Sequence, residues 1–136
     1  MNKICTSLEQ SKKLIELGVD IHTADMCWQN NEFPIGFNDD DAVPAWSLSA
    51  LLELIPKHIK QNDGRKYKFH IFNDDGIVIQ RWGCSYCAED FHNRAEYLSD
   101  SNLKYPTNIY SDKYDNLIDA CVEMIIKLKE IYEMDI

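Results

Sequence analysis

Two cysteines separated by two residues, Cys84 and Cys87, have a spacing that is typical of thiol chemistry. A Cys-x-x-Cys pair can act as a redox dithiol, because the two sulfurs can reach bonding distance and a helix N-terminus lowers the pKa of one thiol. Redox pairs of this kind follow a strand of a βαβ unit, whereas here the pair follows a predicted β-hairpin. The sequence context therefore disfavours a redox role.

The same pair continues to His92 in the pattern Cys-x2-Cys-x4-His, which resembles three ligands of a zinc knuckle. Structural zinc requires four ligands, and Tyr97 occupies the position of the fourth. Another part of the fold would have to complete the shell. A zinc- or thiol-dependent protein that uses Cys84, Cys87 and His92 is therefore the alternative hypothesis, and two ordinary thiols at the end of a strand are the favoured interpretation.

Other catalytic patterns are missing from the sequence, so an enzyme is not indicated. The glycines form no phosphate-binding loop, and neither a Gly-x-Ser-x-Gly nor a His-Glu-x-x-His motif occurs. Asp39, Asp40 and Asp41 could bind a divalent cation through their carboxylates, but they lack the ligand spacing of an EF-hand. A solvated acidic loop is the favoured interpretation of this run.

Large aromatic residues beside acidic ones are the predicted surface for a protein partner. Trp28, Phe37 and Trp46, together with the aspartate run, form this candidate set, because an exposed Trp near charged side chains can anchor a partner. Packing in the core is the favoured alternative for the aromatic residues, since most large aromatic side chains are buried.

The charge and the cysteine count restrict the setting. A net charge of -9, from 23 acidic and 14 basic side chains, repels phosphates, so neither direct nucleic-acid binding nor an anionic membrane is expected. The same charge makes an acidic mimic that inhibits a nucleic-acid-binding partner a further alternative. No signal-peptide pattern and no apolar run of about 20 residues is found. Five cysteines without a regular spacing predict free thiols and a cytoplasmic location.

Three helices are predicted from capping residues and apolar periodicity. The first follows Ser7 and ends at Gly18, and the second lies between Ser47 and Pro56. The third begins near Ser111 or Asp112 and keeps a helical period for about five turns. Its apolar face is so wide that it must pack between two layers or against a second copy, so a homodimer through this helix is a candidate.

A β-hairpin separates the second and third helices. Alternating residues from Tyr67 to Phe72 and from Ile77 to Trp82 predict two strands, and Asn73-Asp74-Asp75-Gly76 predicts the turn, with Phe69 opposite Trp82. The 136 residues suit one domain over 1–136. The predicted fold class is α+β, with three helices packed on a small antiparallel sheet in the order α-α-β-β-α. A third strand could come from residues 26–37 or 105–110.

Three segments together resemble a group of uncharacterised small proteins from gut Bacteroides-type bacteria and their mobile elements. They are SLEQSKKLIELGVDIHTADM from Ser7, PAWSLSALLELIPK from Pro44 and NLIDACVEMI from Asn116, about a third of the chain. The resemblance implies a bacterial intracellular setting linked to phages or integrated elements, and it brings no activity, cofactor or catalytic residue. Together with the missing catalytic motifs, it leads to the prediction of a non-enzymatic binding or accessory protein with an unidentified protein partner.

Overall fold

A computed structural model of the chain describes residues 3–29, 34–35, 42–60, 66–75, 80–88 and 109–136, with the backbone alone for 34, 35, 74, 75, 80 and 88. The described residues form a mixed α+β fold, as predicted. Its α-helices are α1 (Leu8–Glu16), α2 (Leu48–Leu54) and α3 (Leu117–Ile126), to which a 3-10 turn (Ile21–Thr23) and a π-helical turn (Lys127–Ile131) are added.

The strands of the described residues form two antiparallel sheets instead of the one sheet that was predicted. The first has the order β2-β1-β3, from β1 (Met26–Trp28), β2 (Pro34–Ile35) and β3 (Val43–Ala45). The second has the order β4-β5-β6-β7, from β4 (His58–Lys60), β5 (Lys66–Asp75), β6 (Gln80–Ala88) and β7 (Ile109–Tyr110). Three strands thus lie between α1 and α2, and the predicted order α-α-β-β-α is not confirmed.

Helix α1 begins and ends where the sequence predicts. The Ser7 hydroxyl accepts a hydrogen bond from the Gln10 N–H at 3.1 Å, and the Gln10 side chain accepts one from the Ser7 N–H at 2.9 Å. This capping box satisfies backbone donors that the helix itself leaves unpaired. At the other end Gly18 has φ +89°, a conformation that a side chain would strain, and the Val19 N–H turns back to the Leu14 carbonyl.

A buried polar cluster joins the segments that lead into α1 and α2. The Thr6 hydroxyl oxygen lies 2.7 Å from that of Ser11 and accepts a hydrogen bond from the Trp46 N–H at 3.1 Å. The Thr6 N–H donates to the Trp46 carbonyl at 2.9 Å, and the Thr6 carbonyl accepts from the Trp28 indole at 2.9 Å. Because buried polar groups are costly unless they are hydrogen-bonded, these bonds select one arrangement of the three segments.

Helix α3 starts later in the chain than predicted. The predicted start near Ser111 or Asp112 is wrong, because the chain there still runs beside β6, where Trp82 and Tyr114 exchange two backbone hydrogen bonds. The helix begins only after Asn116, whose side chain accepts a hydrogen bond from the Asp119 N–H at 2.9 Å.

Helix α3 lies in the middle of the fold. It packs on β6 from one side and on α2 and α1 from the other, which accounts for its wide apolar face. The buried residues of α3 are Ile118, Ala120, Cys121, Val122, Met124 and Ile125. Leu128 is buried in the π-helical turn that follows the helix. The prediction that it packs between two layers is confirmed, so the wide face no longer calls for a second copy. No helix in the described ranges is both long enough and apolar enough to cross a bilayer.

The predicted turn and register of the hairpin are wrong. Strand β5 continues through Asp75, so Phe69 pairs with Tyr86, and Trp82 pairs with Asn73. The Phe69 and Tyr86 rings lie 5.5 Å apart, and Tyr86 is 1% exposed. The free energy gained by burying these rings is larger than the preference of an Asn-Asp-Asp-Gly sequence for a tight turn. The position of the rings therefore decides the register.

An ionic cluster fastens the N-terminal segment to α3. The Lys3 ammonium lies 2.6 Å from the Asp119 carboxylate, which also accepts hydrogen bonds from the side chains of Gln10 at 2.7 Å and Asn116 at 2.7 Å. Desolvation by itself would raise the pKa of Asp119, but the three hydrogen bonds outweigh it and hold this pKa below its ordinary value.

Replacement of Asp119 by asparagine should lower the free energy of unfolding at neutral pH by about 1 kcal/mol, after allowance for screening of a partly exposed carboxylate. The pKa of Asp119 is lower in the folded than in the unfolded protein. The contribution of Asp119 to stability is therefore fully present above the pKa of the unfolded state, and it is lost as the pH falls through the pKa of the folded state. Urea denaturation between neutral and acidic pH measures both effects, and replacement of the exposed Asp135 by asparagine is the matched control. Equal pH dependence in Asp119→Asn and the unmodified protein would contradict the assignment.

Candidate functional site

The four-stranded sheet has one buried face and one solvent-facing face. Successive side chains of a strand point to opposite faces, and directly paired residues share a face. The inner sheet face packs towards α3, and its buried residues, each at most 5% exposed, are Ile59, Tyr67, Cys84, Tyr86 and Ile109. The outer sheet face is the opposite side, and nothing in the described core packs on it.

The structure places the two predicted cysteines on opposite faces of β6. Cys84 is fully buried on the inner sheet face, whereas Cys87 is half-buried on the outer sheet face, with its sulfur 3.6 Å from the Ser85 hydroxyl. Three steps along a strand span about 10 Å, more than a disulfide can bridge. A disulfide or a zinc ion shared by Cys84 and Cys87 would thus require β6 to leave the sheet. His92, the third predicted ligand, lies outside the described residues.

Cys84 instead faces Cys121 of α3 in the core. Their shared hydrogen bond lowers the pKa of Cys84 and raises that of Cys121, and the Cys84 sulfur also lies 3.5 Å from the Ala120 carbonyl oxygen. Cys5, Cys27 and Cys121 are likewise buried free thiols in the described structure. In the ranges that the structure describes, no group of three or more His, Cys, Asp or Glu side chains could hold a metal ion.

Cys87 should react with a maleimide well before the other four thiols, because it alone among the cysteines has a partly exposed sulfur-bearing side chain. Mass spectrometry of peptides from protein labelled for increasing times measures the order of reaction. Treatment with a thiol oxidant should yield no disulfide between Cys84 and Cys87 in the folded protein. Formation of that disulfide as fast as Cys87 is labelled would contradict the register of β6.

Of the predicted partner-binding residues, Trp46 is a core residue. Its side chain is fully buried and its indole N–H donates to the Thr23 hydroxyl at 2.9 Å, so it offers no surface to a partner. Trp28 is half-buried in β1, and its indole belongs to the buried polar cluster. Phe37 and the aspartates Asp39, Asp40 and Asp41 lie outside the described residues. Of this candidate set, the described part of the chain thus contains only Trp28 and Trp46, and these do not form an exposed pair.

The outer sheet face carries basic and aromatic side chains that the search for motifs missed. Its residues, by strand pairing, are His58, Lys60, Lys66, Lys68, His70, Phe72, Arg81, Gly83, Ser85, Cys87 and Tyr110. The only signal in the sequence was the alternation of Lys66, Lys68, His70 and Phe72 with apolar residues along one strand. That pattern predicts a half-buried strand, but it does not say which other strands extend its polar side.

A β-bulge shapes one end of the outer sheet face. Ser85 pairs with Tyr110 and Trp82 bridges to Tyr114, so residues 83–84 of β6 lie opposite residues 111–113. The extra residue on the later segment bends the edge of the sheet. The result is a shallow concavity of about 630 Å³, within the size range of small-ligand sites. It is lined by Phe72, Arg81, Ser85, Tyr110, Ser111, Asp112 and Lys113.

Phe72 lies across the sheet instead of standing up from it. A Cβ at Gly83, its partner across the strands, would come within 2.3 Å of the Phe72 ring, so the ring occupies the volume that a side chain would need. Gly83 is buried as a result, while Phe72 keeps part of its surface in solvent. Glycine at this position therefore allows the ring to form part of the floor of the concavity.

The second aromatic ring of the concavity, that of Tyr110, is held at the sheet edge by a lysine. The Lys127 ammonium lies 5.4 Å from the centroid of the Tyr110 ring and donates a hydrogen bond to the Tyr110 carbonyl at 2.7 Å. This cation–π contact orients the ring, which is nevertheless 50% exposed. An exposed ring that is already ordered is suited to stacking, because little conformational freedom remains to be lost.

At the other end of the outer sheet face three lysines lie together. Lys60 pairs directly with Lys66, and Lys68 is two positions further along the same strand. Like charges directly opposite in a sheet are destabilising. Lysine on an edge strand commonly prevents pairing with another chain, which accounts for Lys60 on β4. It does not account for Lys68, because Lys68 pairs with His58 of β4 on one side and with Cys87 of β6 on the other.

Acidic groups meet this face at one corner. Asp112 lines the concavity, its N–H donates to the Glu123 carboxylate, and the Tyr114 hydroxyl donates to the same carboxylate at 3.2 Å. Asp74 occupies the register position opposite Arg81, near the end of the hairpin. The cationic side chains on or beside the face are Lys60, Lys66, Lys68, Arg81, Lys113 and Lys127.

The net charge of -9 does not decide the potential at this face. Carboxylates on α1, such as those of Glu9 and Glu16, lie on a helix whose main contacts are with β3 and α3. Two packed layers place them on the order of 20 Å away, whereas the Debye length at physiological salt is about 8 Å. Among the described residues, cationic side chains therefore outnumber carboxylates at the outer sheet face.

Comparisons with known proteins find no match, whether with protein-family models, with curated proteins or with solved structures.

Lys66→Gln should raise the free energy of unfolding by a few tenths of a kcal/mol at low salt, because it removes the repulsion between directly opposed lysines. The gain should shrink as salt is added, since salt screens exposed charges. Urea denaturation at two salt concentrations measures this, with Lys12→Gln on α1 as the control that leaves the sheet unchanged. A clear loss of stability in Lys66→Gln would mean that Lys66 serves the fold and not a ligand.

Proposed function

We propose that this protein is a non-enzymatic binding protein whose binding surface is the outer sheet face and whose ligand is anionic. The observation that carries the proposal is the gathering of lysine, arginine and aromatic side chains on one solvent-facing side of a sheet, in a chain of net charge -9. The cytoplasmic, mobile-element-linked setting and the role as an accessory protein stay predictions from the sequence.

The repulsion within the lysine group supports a role in binding. Lys60 and Lys66 oppose each other without a carboxylate of the described residues between them, and the ion pairs Lys3–Asp119 and Lys13–Glu130 lie elsewhere. A group of cations that weakens the fold by itself is stabilised when an anion binds to it. Such a trade of stability for binding is typical of functional surfaces.

The concavity supports the proposal from the other end of the face. It combines a guanidinium and an ammonium, from Arg81 and Lys113, with hydroxyls from Ser85 and Tyr110. These groups donate hydrogen bonds to anionic oxygens, and none of them is a nucleophile activated by a neighbouring base in the described residues. The arrangement therefore favours recognition of an anion over covalent chemistry.

The thiol alternative has less support than the anionic ligand. Cys84 belongs to the core with Cys121, and Cys87 lies alone on the outer sheet face beside Lys68, its partner in β5. A role for Cys87 would therefore be a role within the proposed binding surface. The wide apolar face of α3, which motivated the homodimer, is covered inside the chain, so a dimer has no separate structural motive.

Inorganic polyphosphate is the direct probe, because it carries phosphate charge without any base or sugar. The unmodified protein should bind it at low salt, with an affinity that falls as salt rises, and the double variant Lys66→Gln/Lys68→Gln should bind about 10-fold more weakly. Isothermal titration calorimetry at about 50 and about 200 mM salt measures both effects.

Lys12→Gln/Lys13→Gln on α1 is the matched control, because it removes the same charge from the opposite side of the fold. This variant should bind polyphosphate like the unmodified protein. Far-ultraviolet circular dichroism and thermal melting verify that both double variants are folded. Equal weakening in the two double variants, or no binding by the unmodified protein at low salt, would refute the proposed binding surface.

A further inference from the structure

We infer that the ligand of the outer sheet face is a single-stranded nucleic acid, with bases stacked at Phe72 and Tyr110 and phosphates bound by Lys60, Lys66, Lys68 and Arg81. The inference rests on the proposed function and adds the chemical class of the ligand. It departs from the expectation drawn from net charge, because that expectation treats the charge as evenly spread and the structure does not.

The aromatic rings supply the part of the argument that charge alone does not. Phe72 of β5 lies over Gly83 of β6. Tyr110 of β7 is 50% exposed, and β6 lies between the two strands that carry the rings. Two strand spacings put the two backbones on the order of 10 Å apart, with the concavity between the side chains. Unpaired bases stack on aromatic rings in such positions, whereas a phosphate polymer without bases has no use for them.

The lysines continue the site along the same face. From Phe72 to Lys66 the outward positions of β5 are occupied by His70 and Lys68, and the segment spans on the order of 20 Å. A strand whose bases occupy the concavity can therefore run its backbone over Lys68 towards the pair of Lys66 and Lys60. The site would therefore contact several nucleotides, within the range of about 4 to 16 that other sheet-based sites for single strands cover.

Competing anionic partners fit the face less well. A duplex keeps its bases stacked on each other, so it would leave Phe72 and Tyr110 without a partner. An acidic protein segment would satisfy the lysines and Arg81, but its carboxylates gain nothing from flat exposed rings, which attract cations to their faces. Both partners become outcomes of the test below.

The test is fluorescence anisotropy with a labelled single strand of about 12 nucleotides, in RNA and DNA forms, across a salt series. Four contacted phosphates, at Lys60, Lys66, Lys68 and Arg81, should give a slope of log affinity against log salt of about -3. Lys66→Gln/Lys68→Gln should reduce the size of that slope by about 1.4, and Lys12→Gln/Lys13→Gln should leave it unchanged.

The stacking contribution is tested by a pair of substitutions at Tyr110. Tyr110→Leu, which keeps an apolar side chain and removes the ring, should weaken single-strand binding by about 10-fold, and Tyr110→Trp should retain it. Both variants lack the Tyr110 hydroxyl, so polyphosphate affinity should change by the same factor in the two, since polyphosphate does not stack. A polyphosphate affinity that is lower in Tyr110→Leu than in Tyr110→Trp, at equal thermal stability, would count against stacking.

The thiol of Cys87 supplies a readout that does not depend on affinity differences. Cys87 pairs with Lys68 on the outer sheet face, so a bound strand should slow its alkylation by iodoacetamide several-fold, and urea should abolish this protection. Polyphosphate binding without single-strand binding, equal affinity for a duplex, or an unchanged affinity in Tyr110→Leu would overturn the inference and leave the proposed function standing. Failure of polyphosphate and single strands alike would overturn both.

Discussion

Burial of α3 between the four-stranded sheet and helices α1 and α2 decides which side of every strand meets solvent. Leu128 and the buried residues of α3 are covered on nearly all sides, and the inner sheet face supplies Tyr67, Cys84 and Tyr86 as the opposite wall. Hydrophobic burial of this kind does not tolerate a register shift of one residue, because every side chain of a strand would change faces. The same packing therefore decides which side chains form the outer sheet face.

The N-terminal half uses polar bonds where the C-terminal half uses apolar packing. Thr6 and Ser11 are fully buried, and their hydroxyls are paired with each other and with the backbone of Trp46. A paired polar cluster contributes little net free energy, but it penalises every arrangement that would leave one group unpaired. This penalty holds the Trp46 backbone and the Trp28 indole in the observed arrangement.

Separation of charge is the second consequence of the layered arrangement. The acidic side chains of α1 and of the C-terminal residues, such as Glu16, Glu130 and Glu133, lie on elements other than the sheet that carries the lysines. The described charged side chains of the outer sheet face are mostly cationic, although the net charge of the chain is -9. The two properties are compatible because salt screens the interaction between charges that are further apart than a Debye length. The sign of the total charge is therefore a poor guide to the potential at one surface.

Local signals in the sequence were sufficient wherever neighbours along the chain decide the structure. The caps Ser7 and Ser47, the left-handed Gly18 and the α+β class follow from hydrogen bonds and backbone preferences that act within a few residues. The hairpin register was beyond such signals, because the pairing of Phe69 with Tyr86 depends on burial against α3, more than 30 positions further along the chain.

Tertiary structure alone decided the candidate site. The sequence brings Cys84 and Cys87 within three positions, but extended backbone turns their sulfurs to opposite faces. In the sequence Phe72 is far from Tyr110, and Lys60 is separated from Lys68. Strand pairing brings all four residues onto the outer sheet face. Spacing along a chain predicts proximity in space only when the intervening backbone is known, and here the sheet, whose pairing depends on distant residues, supplies that backbone.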